Sequence, residues 1–205
     1  APNDPTGLQW HGENLAWLGR LPEALSEARR AAALDPLSAV ITGSVSQTLY
    51  VSRDFRGALN AAHESIALDS SFTPSFSTVA LAEMFSGHPD SAVKYAEAAR
   101  KRDPSLPGVD GVLILAYAAA GRWTDAQRVH DEIRMAHDRI QLRNRAAITG
   151  DDLDAALAFG IPANQRSAFI QRIDWKSVNA NGVYSMCDPL FDSFRNDPAF
   201  LAVEH

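Results

Sequence analysis

Small and apolar residues recur along the first two thirds of the chain with a period of 34 residues. A glycine or arginine is followed two positions later by a mostly apolar residue and five positions later by an alanine. The same spacing occurs four times: Gly19-x-Leu21-x-x-Ala24, Arg53-x-Phe55-x-x-Ala58, Gly87-x-Pro89-x-x-Ala92 and Gly121-x-Trp123-x-x-Ala126. One fixed period over four copies indicates an internal repeat.

Each repeat is predicted to contain two helices. In the third copy, Phe76, Val79, Ala80 and Met84 have helical spacing, and Gly87 ends that first helix because glycine tolerates positive φ. The second helices are expected to begin near Pro22, Asp90 and Thr124. Asp-Pro pairs end two of them, since proline cannot continue a helix.

These features resemble the tetratricopeptide repeat family, whose 34-residue helix–turn–helix unit has small residues at its eighth and twentieth positions. Four units match, over residues 5–38, 39–72, 73–106 and 107–140. The eighth positions are Gly12, Ser46, Ala80 and Ile114, of which the last departs from the pattern. The twentieth positions are Ala24, Ala58, Ala92 and Ala126.

The resemblance implies an all-α protein, a right-handed α-α superhelix of tetratricopeptide units with a C-terminal helical cap. Unit four has Asp138 in place of the terminal proline, so its second helix is expected to run on. Residues 141–163 are expected to form a degenerate fifth helix pair. Residues 164–205 are expected to form a capping helix and tail, whose phenylalanines cover the open end of the stack.

The tail, Asp188-Pro-Leu-Phe-Asp-Ser-Phe-Arg-Asn-Asp-Pro-Ala-Phe200, resembles a motif of bacterial tetratricopeptide domains. Those domains follow a winged-helix DNA-binding domain in transcriptional regulators, a catalytic domain in class III adenylate cyclases, or a kinase domain. The resemblance implies the C-terminal regulatory part of a larger signalling protein. The start at Ala1 favours a fragment or a removed leader. A free-standing scaffold or adaptor is the alternative.

Composition limits the partners. The 205 residues include 46% hydrophobic and 21% charged residues and carry a net charge of −6, as in an ordinary folded soluble protein. A mildly acidic chain is a poor nucleic-acid binder, so none is expected for this segment. The apolar stretches are too short to span a bilayer. We therefore expect a cytoplasmic protein, with the periplasm as the other compartment.

No residue pattern indicates catalysis. The chain has no nucleophile elbow, phosphate loop or zinc-protease motif, and Cys187 is its single cysteine. His130 and His137 lack the spacing that a metal site prefers, and His130 is expected to be buried for structural reasons. We expect no enzyme activity, no cofactor and no metal.

The family resemblance implies a concave groove lined by the first helix of each unit. The residues that it assigns to a partner-binding site are Gln9, Glu13, Trp17, Gln47, Tyr50, Ser77, Leu81, Met84, Phe85 and Leu115, with Trp17, Tyr50 and Phe85 as the main anchors. Without lysine or arginine, this lining does not suit an acidic peptide terminus. It suits an amphipathic helix or peptide, the protein's own N-terminal domain, a homodimer, or a small apolar ligand.

Overall fold

The computed structural model describes residues 3–106 and 108–140, together with Pro189 and Asp192. These described residues form eight α-helices and no β-strand: α1 (Pro5–Trp17), α2 (Leu21–Leu34), α3 (Ala39–Val51), α4 (Phe55–Leu68), α5 (Thr73–Phe85), α6 (Pro89–Arg102), α7 (Val109–Ala119) and α8 (Trp123–Ile140). The chain divides into two compact units, Ala1–Asp103 and Pro104–His205, and each is described by itself.

The first unit consists of three helical hairpins. α1 packs on α2, α3 on α4, and α5 on α6. Successive hairpins stack because α2 also contacts α3 and α4 also contacts α5. The first helices of the hairpins contact one another as well, α1 with α3 and α3 with α5. This arrangement brings the three first helices side by side.

The hairpin turns share one backbone conformation. After α5, Gly87 N–H donates to the Met84 carbonyl at 3.2 Å, and His88 N–H donates to the Glu83 carbonyl at 2.9 Å. Such a turn needs a residue with positive φ. Gly19 and Gly87 meet this need at φ 74° and 83°, whereas Arg53 adopts φ 65° despite its side chain. Three turns of the first unit therefore have the same geometry with different residues.

The small residues of the repeat lie where the helices cross. The twentieth-position alanines are 0% exposed. At the crossing of α1 and α2, a Cβ added to Gly12 would lie 3.2 Å from the Ala24 carbonyl oxygen. Close backbone approach explains why larger residues are absent at this crossing. The residues at the eighth and twentieth positions are all buried: Gly12, Ser46, Ala80, Ile114, Ala24, Ala58, Ala92 and Ala126.

Buried hydroxyl groups link the second hairpin to the third. Ser65 Oγ donates to the Ala39 carbonyl at 2.7 Å, which ties α4 to the beginning of α3. Ser75 Oγ on α5 donates to Ser65 Oγ at the same distance. Because both serines are at most 1% exposed, these hydrogen bonds satisfy groups that water cannot reach.

In the second unit, α7 packs on α8. α8 has 18 residues, compared with 14 in α2, α4 and α6, which confirms that the fourth unit's second helix runs on without a terminal proline. His130 is 5% exposed, with its Nδ1 atom 3.0 Å from Asp131 Oδ1. The predicted structural burial of His130 is thereby confirmed.

Several expectations lie outside the described residues. They are the degenerate helix pair over residues 141–163, the setting of Cys187, and the cap over residues 164–205 except for Pro189 and Asp192. Over residues 3–106 and 108–140, no helix combines the length and apolar character that crossing a membrane requires. In the same part of the chain, no group of three or more histidine, cysteine or acidic residues could hold a metal ion.

Candidate functional site: the first-helix face

The three first helices of the first unit form a surface that we call the first-helix face, made of α1, α3 and α5. Their sequences contain no lysine or arginine, and their only acidic residues are Glu13 and Glu83. Every lysine and arginine between residues 3 and 103 lies instead in α2, α4, α6 or the turns. The first helices therefore carry only acidic charges, whereas the lysines and arginines lie on the second helices and the turns.

Six of the predicted groove residues are accessible on this face. Trp17 is 45% exposed and Gln47 is also exposed, whereas Glu13, Ser77, Met84 and Phe85 are half-buried. Val40, a family groove position at the beginning of α3, is exposed to the same extent as Trp17. Two large apolar side chains are therefore available to a partner on α1 and α3.

Three other predicted groove residues are buried. Tyr50 is 2% exposed, Leu81 is 6% exposed and Gln9 is 8% exposed. A partner can touch little of these side chains in this conformation, so they support the face from beneath.

Tyr50 belongs to a three-ring cluster. Its ring centroid lies 6.0 Å from those of Phe55 and Phe85, and the latter two rings stack 5.1 Å apart with planes 10° from parallel. Such aromatic pairs stabilise packing beyond the area they bury. Phe55 was not predicted as a site residue. The sequence did give a sign of it: Phe55 lies two residues after the turn residue Arg53, and the equivalent position of the fourth unit is also aromatic, Trp123.

Leu115 is separated from the other site residues by the division of the chain. It lies on α7 in the second unit and is 2% exposed. Within that unit it belongs to the packed interior of α7, where Val109 and every residue from Gly111 to Ala118 are buried.

Two polar side chains of the face, those of Gln9 and Ser77, differ in their hydrogen bonding. Gln9 Nε2 donates to Glu13 Oε1 at 3.0 Å, within one turn of α1. Ser77 Oγ is buried and has no hydrogen-bond partner among the described residues. An unpaired buried hydroxyl is costly, and a partner cannot reach this one in the present conformation.

A serine, a histidine and a glutamate meet at the turn between α5 and α6. Glu83 accepts from Ser91 Oγ at 3.1 Å and lies 2.8 Å from His88 Nδ1. Nucleophile activation requires the histidine between the serine and the acid. Here the carboxylate lies between the other two, so the contacts stabilise the turn and do not activate Ser91.

A concavity of about 740 Å³ lies on the surface of α8 in the second unit. Arg128 in its wall pairs with Glu132 at 2.8 Å and with Asp125 at 3.5 Å. Its lining among the described residues is Trp123, Thr124, Gln127, Arg128, Asp131, Glu132 and Met135. Because these ion pairs already satisfy the cation, the concavity is a weaker candidate than the first-helix face.

Arginine and serine partners lower the pKa of three acidic groups near helix starts and turns. A side-chain hydrogen bond from Arg20 lowers the pKa of Glu23, and one from Arg122 lowers the pKa of Asp125. The Ser71 hydroxyl, followed by its backbone N–H, lowers the pKa of Asp69. These exposed groups stabilise local structure, and none lies on the first-helix face.

Solved structures with similar folds are tetratricopeptide-repeat proteins. MamA is 18% identical, with a TM-score of 0.58 over 69% of this chain and 83% of its own. TTC0263, a thermophilic TPR protein of Thermus thermophilus, is 16% identical, with a TM-score of 0.67 over 98% of this chain and 100% of its own. The first TPR of Spaghetti (RPAP3), bound to the HSP90 peptide SRMEEVD, is 18% identical, with a TM-score of 0.53 over 59% of this chain and 96% of its own.

No protein-family model matches the sequence, and no curated protein sequence matches it. The structural likeness therefore defines the fold alone. The described residues have the all-helical fold of tetratricopeptide-repeat solenoids, as the family resemblance implied.

Proposed function

We propose that the protein is a non-catalytic interaction module that binds a peptide or a helix of a partner protein across the first-helix face. The observation that carries this proposal is the exposure of Trp17 on α1 and of Val40 on α3, two adjacent helices that contain no lysine or arginine. Exposed tryptophan is the residue type most often responsible for binding energy at interfaces. The peptide bound to the similar RPAP3 structure supports a peptide as the kind of ligand.

The spacing of the helices indicates the size of the ligand. Packed helix axes lie about 8–10 Å apart, so the distance across α1, α3 and α5 is about 20 Å. An extended peptide of about six residues, or a helix of about thirteen, has that length. An amphipathic helix would place its apolar side on the exposed and half-buried side chains of the face.

The biological setting that we propose is regulation within a larger bacterial signalling protein, with a transcriptional regulator as the first choice. The resemblance of the tail over residues 188–200 to that of such proteins supports it. Binding on the first-helix face would act on an output domain only if affinity differed between two states of that domain. A full gene that encodes a winged-helix or cyclase domain would support this setting.

Other uses of the same face remain distinct alternatives. A free-standing adaptor would bind the same peptides without an output domain, in the cytoplasm or the periplasm. A homodimer would occupy the face with a second copy, and a small apolar ligand would need an enclosed site. Met84 and Phe85 are only half-buried, which favours a peptide over an enclosed small molecule.

The proposal can be tested by selecting peptides on the full 205-residue chain. A phage-displayed library of random peptides of about 12 residues covers the length of the face. We expect enriched peptides to lose binding to a Trp17→Ala/Gln47→Ala double variant, because both side chains are exposed and contribute contacts but little stability.

The matched control is a Leu37→Ala/Glu64→Ala double variant, which removes two exposed side chains outside the first-helix face. It should keep full binding, and both variants should keep the wild-type circular dichroism spectrum. Failure to enrich any peptide, or undiminished binding by the first variant, would contradict the proposed function.

A further inference from the structure

Trp10, Glu13 and Trp17 lie on the same side of α1. Trp10 is three residues before Glu13, and Trp17 is four residues after it, which are the spacings of neighbours on a helix surface, about 5–6 Å between Cβ atoms. Trp10 is 61% exposed, Trp17 is 45% exposed and Glu13 is half-buried. The buried residues Leu8, Gly12 and Leu15 mark the opposite side of the helix.

The Glu13 carboxylate is held by a hydrogen bond but is not neutralised by a cation among the described residues. Gln9, which is 8% exposed, donates its side-chain amide to Glu13 Oε1 at 3.0 Å. No lysine or arginine contacts Glu13 among the described residues. The arginine closest along the sequence, Arg20, pairs with Glu23 through two side-chain hydrogen bonds.

The two tryptophans are specific to the first hairpin. The positions of Trp10 and Trp17 correspond, 34 residues on, to Ser44 and Val51 in α3, which are buried. One repeat further they correspond to Thr78, also buried, and to Phe85, which is half-buried and stacked on Phe55. Helix packing thus explains the later residues, whereas packing among the described residues leaves the two tryptophans of α1 exposed.

The chemistry of the three side chains matches a cation. Indole faces attract an ammonium or guanidinium group within about 6 Å of the ring centroid, and a carboxylate forms a charge-assisted hydrogen bond with it. Because α1, α3 and α5 contain no lysine or arginine, a cation of the partner would complement the charge of Glu13.

We propose that Trp10, Glu13 and Trp17 bind a lysine or arginine side chain of the partner segment. The apolar residues that follow this cation in the partner would lie across α3 towards Met84 and Phe85. This inference rests on the proposed function, since it assigns the charge of the ligand at that face. It adds Trp10, which the family groove positions do not include, as a binding residue.

The test uses the same random-peptide library on the full chain, selected in parallel on the wild type and on Glu13→Gln. Glutamine keeps the size of the side chain and an acceptor for Gln9, so the helix is retained. We expect arginine or lysine to be enriched at one position of the wild-type peptides and to lose that enrichment on Glu13→Gln. The control variant Glu64→Gln removes an exposed carboxylate of α4 and should leave the enrichment unchanged.

The enriched peptide is then synthesised with arginine, and with its neutral analogue citrulline, at the selected position. Fluorescence polarisation should show that Glu13→Gln lowers the affinity for the arginine peptide about tenfold. The same substitution should lower the affinity for the citrulline peptide less than about twofold. Trp10→Ala should weaken the arginine peptide about threefold. Raising the salt concentration should weaken the arginine peptide more than the citrulline peptide, because mobile ions screen the exposed charges.

The outcomes separate the two proposals. One contrary result is that the enriched peptides lack a basic residue, and another is that their basic residue is enriched equally on Glu13→Gln. Either result would overturn the cation site and leave the proposed function standing. Absence of any enriched peptide would overturn both. Equal weakening of the arginine and citrulline peptides by Glu13→Gln would show that Glu13 acts through packing and would also overturn the cation site.

Discussion

The first and second hairpins have the same sequence pattern and the same turn, yet they differ in exposure. In α1 only Leu8, Gln9, Gly12 and Leu15 are buried, whereas ten of the 13 residues of α3 are buried. The difference follows from neighbours, because α3 packs against α1, α2, α4 and α5, but α1 contacts α2 and α3. Equal repeats therefore acquire different roles according to their place in the stack.

The comparison separates stability from recognition. A side chain of α3 is enclosed by the adjacent hairpins and contributes mainly to folding. A side chain on the outer side of α1 contributes little to folding and is available to a partner. Substitutions at related places in the two hairpins should show this division directly.

The largest contrast is expected between Tyr50→Ala and Trp17→Ala. Tyr50 is 2% exposed among Phe55 and Phe85, so its truncation should lower the free energy of unfolding by about 3 kcal/mol. Trp17 is 45% exposed, so its truncation should change that free energy by less than about 0.5 kcal/mol. Urea denaturation followed by circular dichroism measures both, and equal losses would contradict the division.

A second contrast concerns overpacking at the helix crossings. Ala24 and Ala58 are both 0% exposed at equivalent positions. We expect Ala58→Leu, on α4, to lower the free energy of unfolding by about 3 kcal/mol. The helix that it packs on, α3, has neighbours on both sides and cannot move away. Ala24→Leu should cost about 1 kcal/mol, since α1 can move outwards. Thermal denaturation of the two variants gives the comparison, and a larger loss for Ala24→Leu would show that α1 is held as firmly as α3.

The turns offer a smaller contrast with opposite signs. Arg53 adopts φ 65°, which costs an L-residue about 1–2 kcal/mol, so Arg53→Gly should stabilise by about 1 kcal/mol. The Arg53 side chain also donates to the Val51 carbonyl at 2.9 Å, and losing this bond reduces the gain. Gly87→Ala is the matched variant.

At Gly87, with φ 83°, an added Cβ meets no atom within 4 Å, so only backbone strain opposes the substitution. It should destabilise by about 1 kcal/mol. Chemical denaturation of both variants measures these shifts. Destabilisation by Arg53→Gly would mean that the side-chain contacts of Arg53 outweigh the strain.

The smallest expected effect is the acid dependence of the loop after α4. The Ser71 hydroxyl and N–H lower the pKa of Asp69 from its ordinary value of 3.8. The charged form therefore stabilises the fold at neutral pH, and this stabilisation is lost as the pH falls through the lowered pKa. Between about pH 5 and about pH 2, the wild type should lose more stability than Asp69→Ala does. Parallel urea titrations test the difference, and identical pH profiles would show that the contact has no effect on stability.

The sequence predicted the hairpins well because their determinants are local. A residue suited to positive φ, a proline or aspartate at a helix start and small residues at fixed positions act within one repeat. For this reason the turn at Gly87 and the recurrence of small residues at the helix crossings were found without coordinates.

The candidate site was predicted less completely. Family groove positions gave Trp17 and Gln47, which are exposed, but also Tyr50 and Leu81, which are buried. They omitted Trp10, whose exposure depends on the absence of a hairpin against that side of α1 among the described residues. The repeat pattern alone does not specify which other helices pack against the outer side of each helix.

By itself, the sequence determined the repeat, the helix pairs, the turns and the segregation of lysine and arginine away from the first helices. These depend on backbone conformations and side-chain sizes within about 34 residues of chain. Only the tertiary structure decided which side chains form the interior and which face a partner. The physical reason is that burial depends on the contacts between hairpins: the same position is covered in α3 and open in α1.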